Sequence, residues 1–190
     1  MAEEYVGTKF KTIFARREAP QDVRMSELIR WCRRFAELGL APGGAGNMSI
    51  RSPSGFIVSR TGISMADIQP EDFVEVLKVD VPKRELTVAG AAEPSSESMM
   101  HAAVYETRPE IHAVFHGHCD KLLSAADRLG LPITAREQPY GTPEIVMEIL
   151  KVLNKHPFFL IRSHGFVSLG ATMDEAGNQA EQTISRLFEL

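Results

Sequence analysis

Apolar residues recur at helical spacing in the segment MSELIRWCRRFAELG, where Met25, Leu28, Ile29, Cys32, Phe35, Ala36 and Leu38 form one stripe. Gly39 ends the predicted helix, because glycine enters the left-handed conformation cheaply. The period then shortens. NMSI and GFIVS flank the turn signal RSPSG and predict a β-hairpin. FVEVLKVD predicts a further strand, and ELTVAG a shorter one beyond VPKR. Helical spacing returns in SSESMMHAAVYETRP through Met99, Met100, Ala103 and Val104, with Pro109 at the far end. IHAVF predicts a strand and KLLSAADRLG a helix. Thr142 before Pro143 marks a helix start that runs through EIVMEILKVLN, proline being suited to the first helical position. FFLI predicts a buried strand. Thr172 and Glu175 have capping-box spacing, and the last helix is expected to carry Ala176, Ala180, Ile184, Leu187 and Phe188 inward.

Residues 1–20 are weakly patterned. FKTIFARREAP alternates briefly and stops at Pro20, so this stretch reads as an extension lying on a neighbour or partly mobile. No repeat, low-complexity tract or linker divides residues 21–190. Helices and strands mix without a strict βαβ order, which predicts one α/β sandwich domain with antiparallel pairing early on.

Composition narrows the function. The 44% apolar content allows an ordinary core, and a net charge of −4 gives no attraction to nucleic acid or to an anionic bilayer. No apolar run reaches the roughly 18 residues of a membrane span. The acidic start MAEEYVGTKF is unlike a signal peptide, so a cytoplasmic location is expected. Cys32 and Cys119 read as reduced thiols and not as a disulfide framework. Cys32 lies in the first helix stripe. Cys119 reads as a small buried residue behind a loop, or as a supporting group beside His118.

Histidine placement carries the candidate chemistry. His116 and His118 follow the strand IHAVF, and residues two apart on extended chain share a face. Gly117 between them leaves room. His164 has the same setting: it follows FFLI and precedes Gly165. Two such strand ends can converge, and three imidazoles with an open position are the usual ligand set of catalytic zinc. The alternative is three unrelated loop histidines. His101 and His112 compete for the ligand role. His101 lies four residues after Glu97 on one helix, and strand periodicity puts His112 on the side of His116, as a polar residue under the sheet. His156, before Pro157, reads as a cap or surface group.

APGGAGNMS is no dinucleotide fingerprint, because its glycines follow a helix and lead into a strand, and it lacks the Walker lysine. Such a turn still offers backbone N–H groups to an anion, and SRTG and PSSE add hydroxyls, the latter at a helix start. Each stretch alone reads as a plain turn or cap. Glu97 in the first helical turn is explained by the helix dipole, or serves as a ligand or proton shuttle.

In this order and spacing, GLAPGGAGNMSIR, VSRTGI, EPSSESMMHAAVYETRPEIHAVFHGH and LIRSHGFVSLGATMDEA resemble the class II aldolase/adducin family over residues 23–188. The resemblance implies a three-layer α/β/α sandwich with a largely antiparallel central sheet. It implies a divalent metal, zinc in the aldolases, on His116, His118 and His164. It implies a phosphate site from Gly46, Asn47, Thr61, Gly62, Ser95 and Ser96, with Glu97 as the catalytic glutamate. It further implies homotetramers with active sites between subunits. The expected reaction is metal-assisted cleavage of a phosphorylated ketose to dihydroxyacetone phosphate and a short aldehyde. In it Glu97 moves a proton, its pKa raised by an apolar surround. Epimerase, dehydratase and decarboxylase chemistry are alternatives within the family. A non-catalytic adducin-like assembly domain is another, which loss of the histidines would signal; here they are intact.

Several positions depart from the family pattern. Arg60 stands where proline is common, and would bind a phosphate or carboxylate or face solvent. Glu93 would repel a phosphate if it pointed inward. The family aldolases use a tyrosine acid from an adjacent subunit, for which Tyr140 is the nearest candidate and Glu137 another. Longer members cover the site with a C-terminal tail. Here the chain ends at Leu190, so the substrate end is expected to stay open or to be covered by other residues, the N-terminal extension among them.

Overall fold

A computed structural model describes residues 7–154 and 156–189. Helix α1 (Met25–Glu37) forms on the predicted stripe, and its end is closed by Gly39 at φ +70°. The Gly39 N–H donates to Ala36 O and the Leu40 N–H to Phe35 O, which satisfies carbonyls the helix would otherwise leave open. Trp31 joins the buried face, whereas Leu38 is 40% exposed.

Among the described residues, eight strands pair into one sheet: β1 (Lys11–Arg16), β2 (Asn47–Ser52), β3 (Gly55–Ser59), β4 (Phe73–Asp80), β5 (Glu85–Ala89), β6 (Ala113–Gly117), β7 (Phe158–Ile161) and β8 (Gly165–Gly170). Their order is β1-β5-β4-β3-β2-β6-β8-β7. Among these strands β1 and β5 pair in parallel and the other neighbours are antiparallel.

Alternation along the strands builds a core on each face. Met48, Ile50, Phe115 and Phe166 point to one side, where Leu28, Trp31 and Phe35 of α1 meet Ala176 and Ala180 of α6 (Met173–Ser185). Val58, Val74, Val114 and Val167 point to the other, against Met99, Met100 and Val104 of α2 (Ser98–Thr107) and Ile145 and Ile149 of α5 (Pro143–Leu153). Burying each such side chain stabilises the fold by about 1.5–3 kcal/mol. The result is the sandwich with a mostly antiparallel sheet that the family resemblance implied.

Five features differ from the sequence expectations. The alternation within FKTIFARREAP becomes edge strand β1, whose partner β5 lies too far along the chain for local pattern to indicate. KLLSAADRLG forms two short helices, α3 (Asp120–Ser124) and α4 (Ala126–Leu129). GFVSLG, absent from the predicted elements, is β8; it is buried at every position and so shows no alternation. Phe188 is 88% exposed, because the last helix ends at Ser185 and the tighter 3-10 turn of Arg186–Glu189 changes the phase of the side chains. The start of α6 is half a capping box. Thr172 Oγ1 accepts from the Glu175 N–H at 3.1 Å, but the Glu175 carboxylate takes the Ala171 N–H at 2.8 Å.

Candidate metal centre and active site

His116 lies near the end of β6, paired with Asn47 of β2 on one side and Val167 of β8 on the other. Its ring is fully buried on the α2 face. Nδ1 is 2.8 Å from Phe166 O, and a carbonyl only accepts, so Nδ1 carries a proton and Nε2 is the nitrogen turned toward the cluster. The His118 N–H donates to Leu40 O at 2.8 Å, which ties the exit of β6 to the C-terminal cap of α1. Its Nε2 is 3.1 Å from that of His116. His164 sits in the β7–β8 turn after Ser163, which adopts the left-handed region at φ +60°. That conformation costs a non-glycine residue about 1–2 kcal/mol and swings His164 toward β6. The His164 ring stacks on His116 with centroids 5.0 Å apart.

One donor nitrogen from each of the three histidines lies within 4.8 Å of the others. Burial, with His116 and His164 nearby, pushes the His118 pKa down to about 3, so this ring is neutral at ordinary pH. Three converging imidazole nitrogens, one ring oriented through a backbone carbonyl, fit a divalent transition ion once each presents a lone pair. The glycines make the convergence possible. A Cβ on Gly165 would lie 2.4 Å from Gly117 O, and one on Gly117 would lie 2.6 Å from the Phe166 ring.

Glu97 joins the cluster from the N-cap of α2. Its Oε1 is 2.9 Å from His164 Nε2 and its Oε2 is 3.0 Å from His116 Nε2. Asn47 Nδ2 donates to Oε2 at 2.8 Å. The sequence expectation of a raised pKa is corrected here. Burial does push the Glu97 carboxyl upward, but His116 and His164 outweigh it and hold the group well below the usual carboxylate range. Glu97 is therefore an ionised acceptor at rest.

Neither competing histidine enters the cluster. His101 is fully buried and spends both ring nitrogens on Ser49 and Asn47. His112 is exposed: β6 begins one residue later, so its ring is not under the sheet.

The anion-binding candidates divide into two groups. Thr61 Oγ1 and Ser96 Oγ lie 3.1 Å apart, and the turn holding Gly62 (φ +69°) abuts Gly44 of the glycine-rich turn, close before Gly46. Ser95 and Asn47 face inward instead. Ser95 Oγ accepts from the Glu97 N–H at 3.2 Å, and the Asn47 amide is shared between Glu97 and His101. Arg60 is paired with Asp72 at 2.6 Å. Glu93 is exposed and accepts from Thr8 Oγ1 at 2.9 Å. Tyr140 is buried beside the histidines, its ring parallel to that of His164 at 6.4 Å, whereas Glu137 is exposed. Lys9 crosses the outside of this pair, with Nζ 3.9 Å from the Tyr140 ring centroid and 2.9 Å from its carbonyl oxygen. Cys119 packs against the α1-side core.

Sequence reasoning did not single out Ser49, Tyr105 or Lys9. A signal existed for the first two. Asn47, Ser49 and Arg51 alternate on β2, and Glu97, His101 and Tyr105 recur at four-residue spacing, so two polar rows were readable within apolar elements.

A mostly antiparallel sandwich that gathers three imidazoles and a carboxylate at the strand ends defines a metalloenzyme of the class II aldolase kind. Residues 26–189 match the family described as Class II Aldolase and Adducin N-terminal domain, and the chain belongs to it. It is similar to a 3-oxo-tetronate 4-phosphate decarboxylase of Haemophilus influenzae, at 30% identity over 85% of this chain and 84% of the relative. It is also similar to a 5-methylthioribulose-1-phosphate/5-deoxyribulose-1-phosphate aldolase of Rhodospirillum rubrum, at 28% identity over 78% of this chain and 72% of the relative. A solved L-fuculose 1-phosphate aldolase shares the fold with a TM-score of 0.74 and 22% identity, over 90% of this chain and 85% of that one. Among the described residues, no helix is long and apolar enough to cross a membrane.

Proposed function

We propose that this enzyme cleaves a carbon–carbon bond in a phosphorylated ketose, releasing dihydroxyacetone phosphate and a short aldehyde. One observation carries the reading: an ionised Glu97 carboxylate held 2.9 Å and 3.0 Å from two of three converging imidazoles. His116, His118 and His164 would hold a divalent ion, most simply zinc, which supplies Lewis acidity toward carbonyl and hydroxyl oxygens.

The chain's own groups account for the protons. Cleavage removes one proton from a hydroxyl oxygen and adds one to the carbon left with the electron pair. Glu97, ionised at rest, accepts a proton and can return it at carbon, which is the behaviour of a general acid–base group. Asn47 keeps its carboxylate oriented. Thr61, Gly62 and Ser96, with the Gly46 turn, anchor the substrate phosphate at the rim, and Ser95 supports the backbone of Glu97. Tyr140 is the nearest phenol for a second proton transfer, from this subunit or across a boundary in a homo-oligomer of the tetrameric kind.

Decarboxylation of a 3-oxo acid phosphate is the second reading, favoured by the 30% identical relative. It makes the same demand on Glu97, a proton delivered to carbon after bond cleavage. A mass-resolved screen of the zinc-loaded enzyme separates the cases. L-fuculose 1-phosphate and 5-deoxyribulose 1-phosphate should yield dihydroxyacetone phosphate and an aldehyde. Turnover of only 3-oxo-tetronate 4-phosphate, with loss of carbon dioxide, would replace the aldolase reading with the second. Loss of water alone from a ketose phosphate would replace both with a dehydratase.

A further inference from the structure

Behind Glu97 and Asn47 runs a buried polar chain, Tyr105–Ser49–His101, to which the proposed reaction assigns no role. Tyr105 Oη is 2.8 Å from Ser49 Oγ, and Ser49 Oγ is 2.6 Å from His101 Nδ1. His101 Nε2 is 2.5 Å from Asn47 Oδ1, and Asn47 Nδ2 is 2.8 Å from Glu97 Oε2. All five residues are buried, and Phe56 packs against both His101 and Tyr105.

Donor and acceptor chemistry fixes the direction of this chain. The Tyr105 hydroxyl has one proton and, among the described residues, one hydrogen-bond partner, Ser49, so the phenol must donate to it or bury an unpaired donor. Ser49 then gives its own proton to His101 Nδ1, which must be the bare nitrogen. A neutral imidazole with bare Nδ1 carries its proton on Nε2 and donates it to Asn47 Oδ1. That sets the amide with its NH2 on Glu97. The reverse order needs a flipped amide, a proton on Glu97 Oε2 and a Tyr105 donor with nothing to accept it. Burial agrees with a neutral His101: it lowers the pKa to about 3, against the attraction of Glu97 and with the repulsion of His116.

We propose that Tyr105, Ser49 and His101 are positioning residues that lock the Asn47 amide with its NH2 on Glu97 Oε2, and so hold the Glu97 carboxylate in one orientation. The proposal rests on the proton-transfer role given to Glu97 above. Its structural half, the fixed direction of the chain, stands apart from any reaction.

Two measurements test it. In zinc-loaded protein labelled with 15N-histidine, long-range proton–nitrogen spectra should show His101 protonated on Nε2 with Nδ1 bare, the signal being assigned by its loss in His101→Gln. A His101 protonated on Nδ1 overturns the proposal, whether or not any substrate is turned over. On the substrate found by the screen, Tyr105→Phe should keep the zinc, lower kcat about fivefold to tenfold and change KM by less than about twofold. Its spectrum should show a mixed His101 tautomer. His101→Gln, which retains an N–H donor, should keep more activity than His101→Phe. A folded Tyr105→Phe enzyme with unchanged kcat and an unchanged His101 signal overturns the proposal. An enzyme inert to every substrate sinks the reaction proposed above, and the spectrum alone then decides the present one.

Discussion

The two helices that lie on opposite faces of the sheet, α1 and α2, were built under different constraints. Helix α1 has one wet face and one dry face, and its dry face is apolar throughout: Met25, Leu28, Trp31, Cys32 and Phe35. Helix α2 is buried from Ser98 to Tyr105 on every side, and His101 and Tyr105 lie inside it with Glu97 at its cap. On the α1 side burial of hydrocarbon is sufficient. On α2 the buried polar side chains of Glu97, His101 and Tyr105 need partners, and the partners found are the strand row of Asn47 and Ser49 and the histidines of the metal centre.

The comparison is broken most severely by removing a ligand. His116→Ala or His164→Ala should release the bound metal, about one ion per chain in the parent, and abolish turnover. Elemental analysis of the folded variant checks this. A variant that keeps its ion would show that the three nitrogens do not act together. Next in size, Glu97→Gln keeps the shape and the metal but cannot carry the proton. Activity should fall about a hundredfold to ten-thousandfold at unchanged zinc content. A fall of less than tenfold would take proton transfer away from Glu97.

The α1 side should respond in stability and not in chemistry. Phe35 is fully buried against Phe115 and Phe166, so Phe35→Ala should cost about 3–5 kcal/mol by denaturant titration, while the surviving folded fraction binds zinc normally. Loss of metal affinity in that fraction would mean that the two faces are not independent.

This contrast also explains what could be read from the chain beforehand. A periodic pattern reports where water touches an element, so α1, the β2–β3 hairpin and α5 were legible, the last with Thr142 accepting the Ile145 N–H as its cap. Strand β8 has no wet face and gave no alternation. The histidine cluster was legible because two strand ends carry the same His–Gly signature and because the motifs resemble a family. The direction of the Glu97 pKa shift was not, because it depends on two rings brought within 3.0 Å by a fold that sequence spacing cannot measure. The partners of the Asn47 amide were not legible for the same reason: they lie 50 and 54 residues away.

Acid should test the α2 side selectively. The folded-state pKa values of His101 and His118 are lowered to about 3, from 6.5. Between these values the unfolded chain binds protons at both sites and the folded chain does not, so stability rises with pH and is lost as pH falls from 6.5 toward 3. Each group contributes a slope of up to about 1.4 kcal/mol per pH unit. Glu97, whose folded pKa is lowered, adds a loss in the same direction below 4.5. Metal-free protein unfolded by denaturant between pH 7 and pH 4 should show this fall, and His101→Gln should flatten it. An equally steep fall in that variant would mean that the His101 ring is already charged in the fold.

The smallest effect is expected at the rim, where the two faces meet solvent. Arg60 stands next to Thr61 and was a candidate to hold the substrate phosphate, yet its Nε lies 2.6 Å from Asp72 Oδ1. The pair is partly exposed, so Arg60→Ala should cost only about 0.2–1 kcal/mol of stability. If the guanidinium stays on Asp72 when substrate arrives, KM for the phosphorylated substrate should change by less than about twofold, whereas Thr61→Val, which removes a hydroxyl that lies 3.1 Å from Ser96, should raise it more. A large rise in KM for Arg60→Ala with little change in stability would reverse this order. It would mean that the arginine leaves Asp72 for the phosphate, and that the rim, unlike either helix face, is rearranged by what it binds.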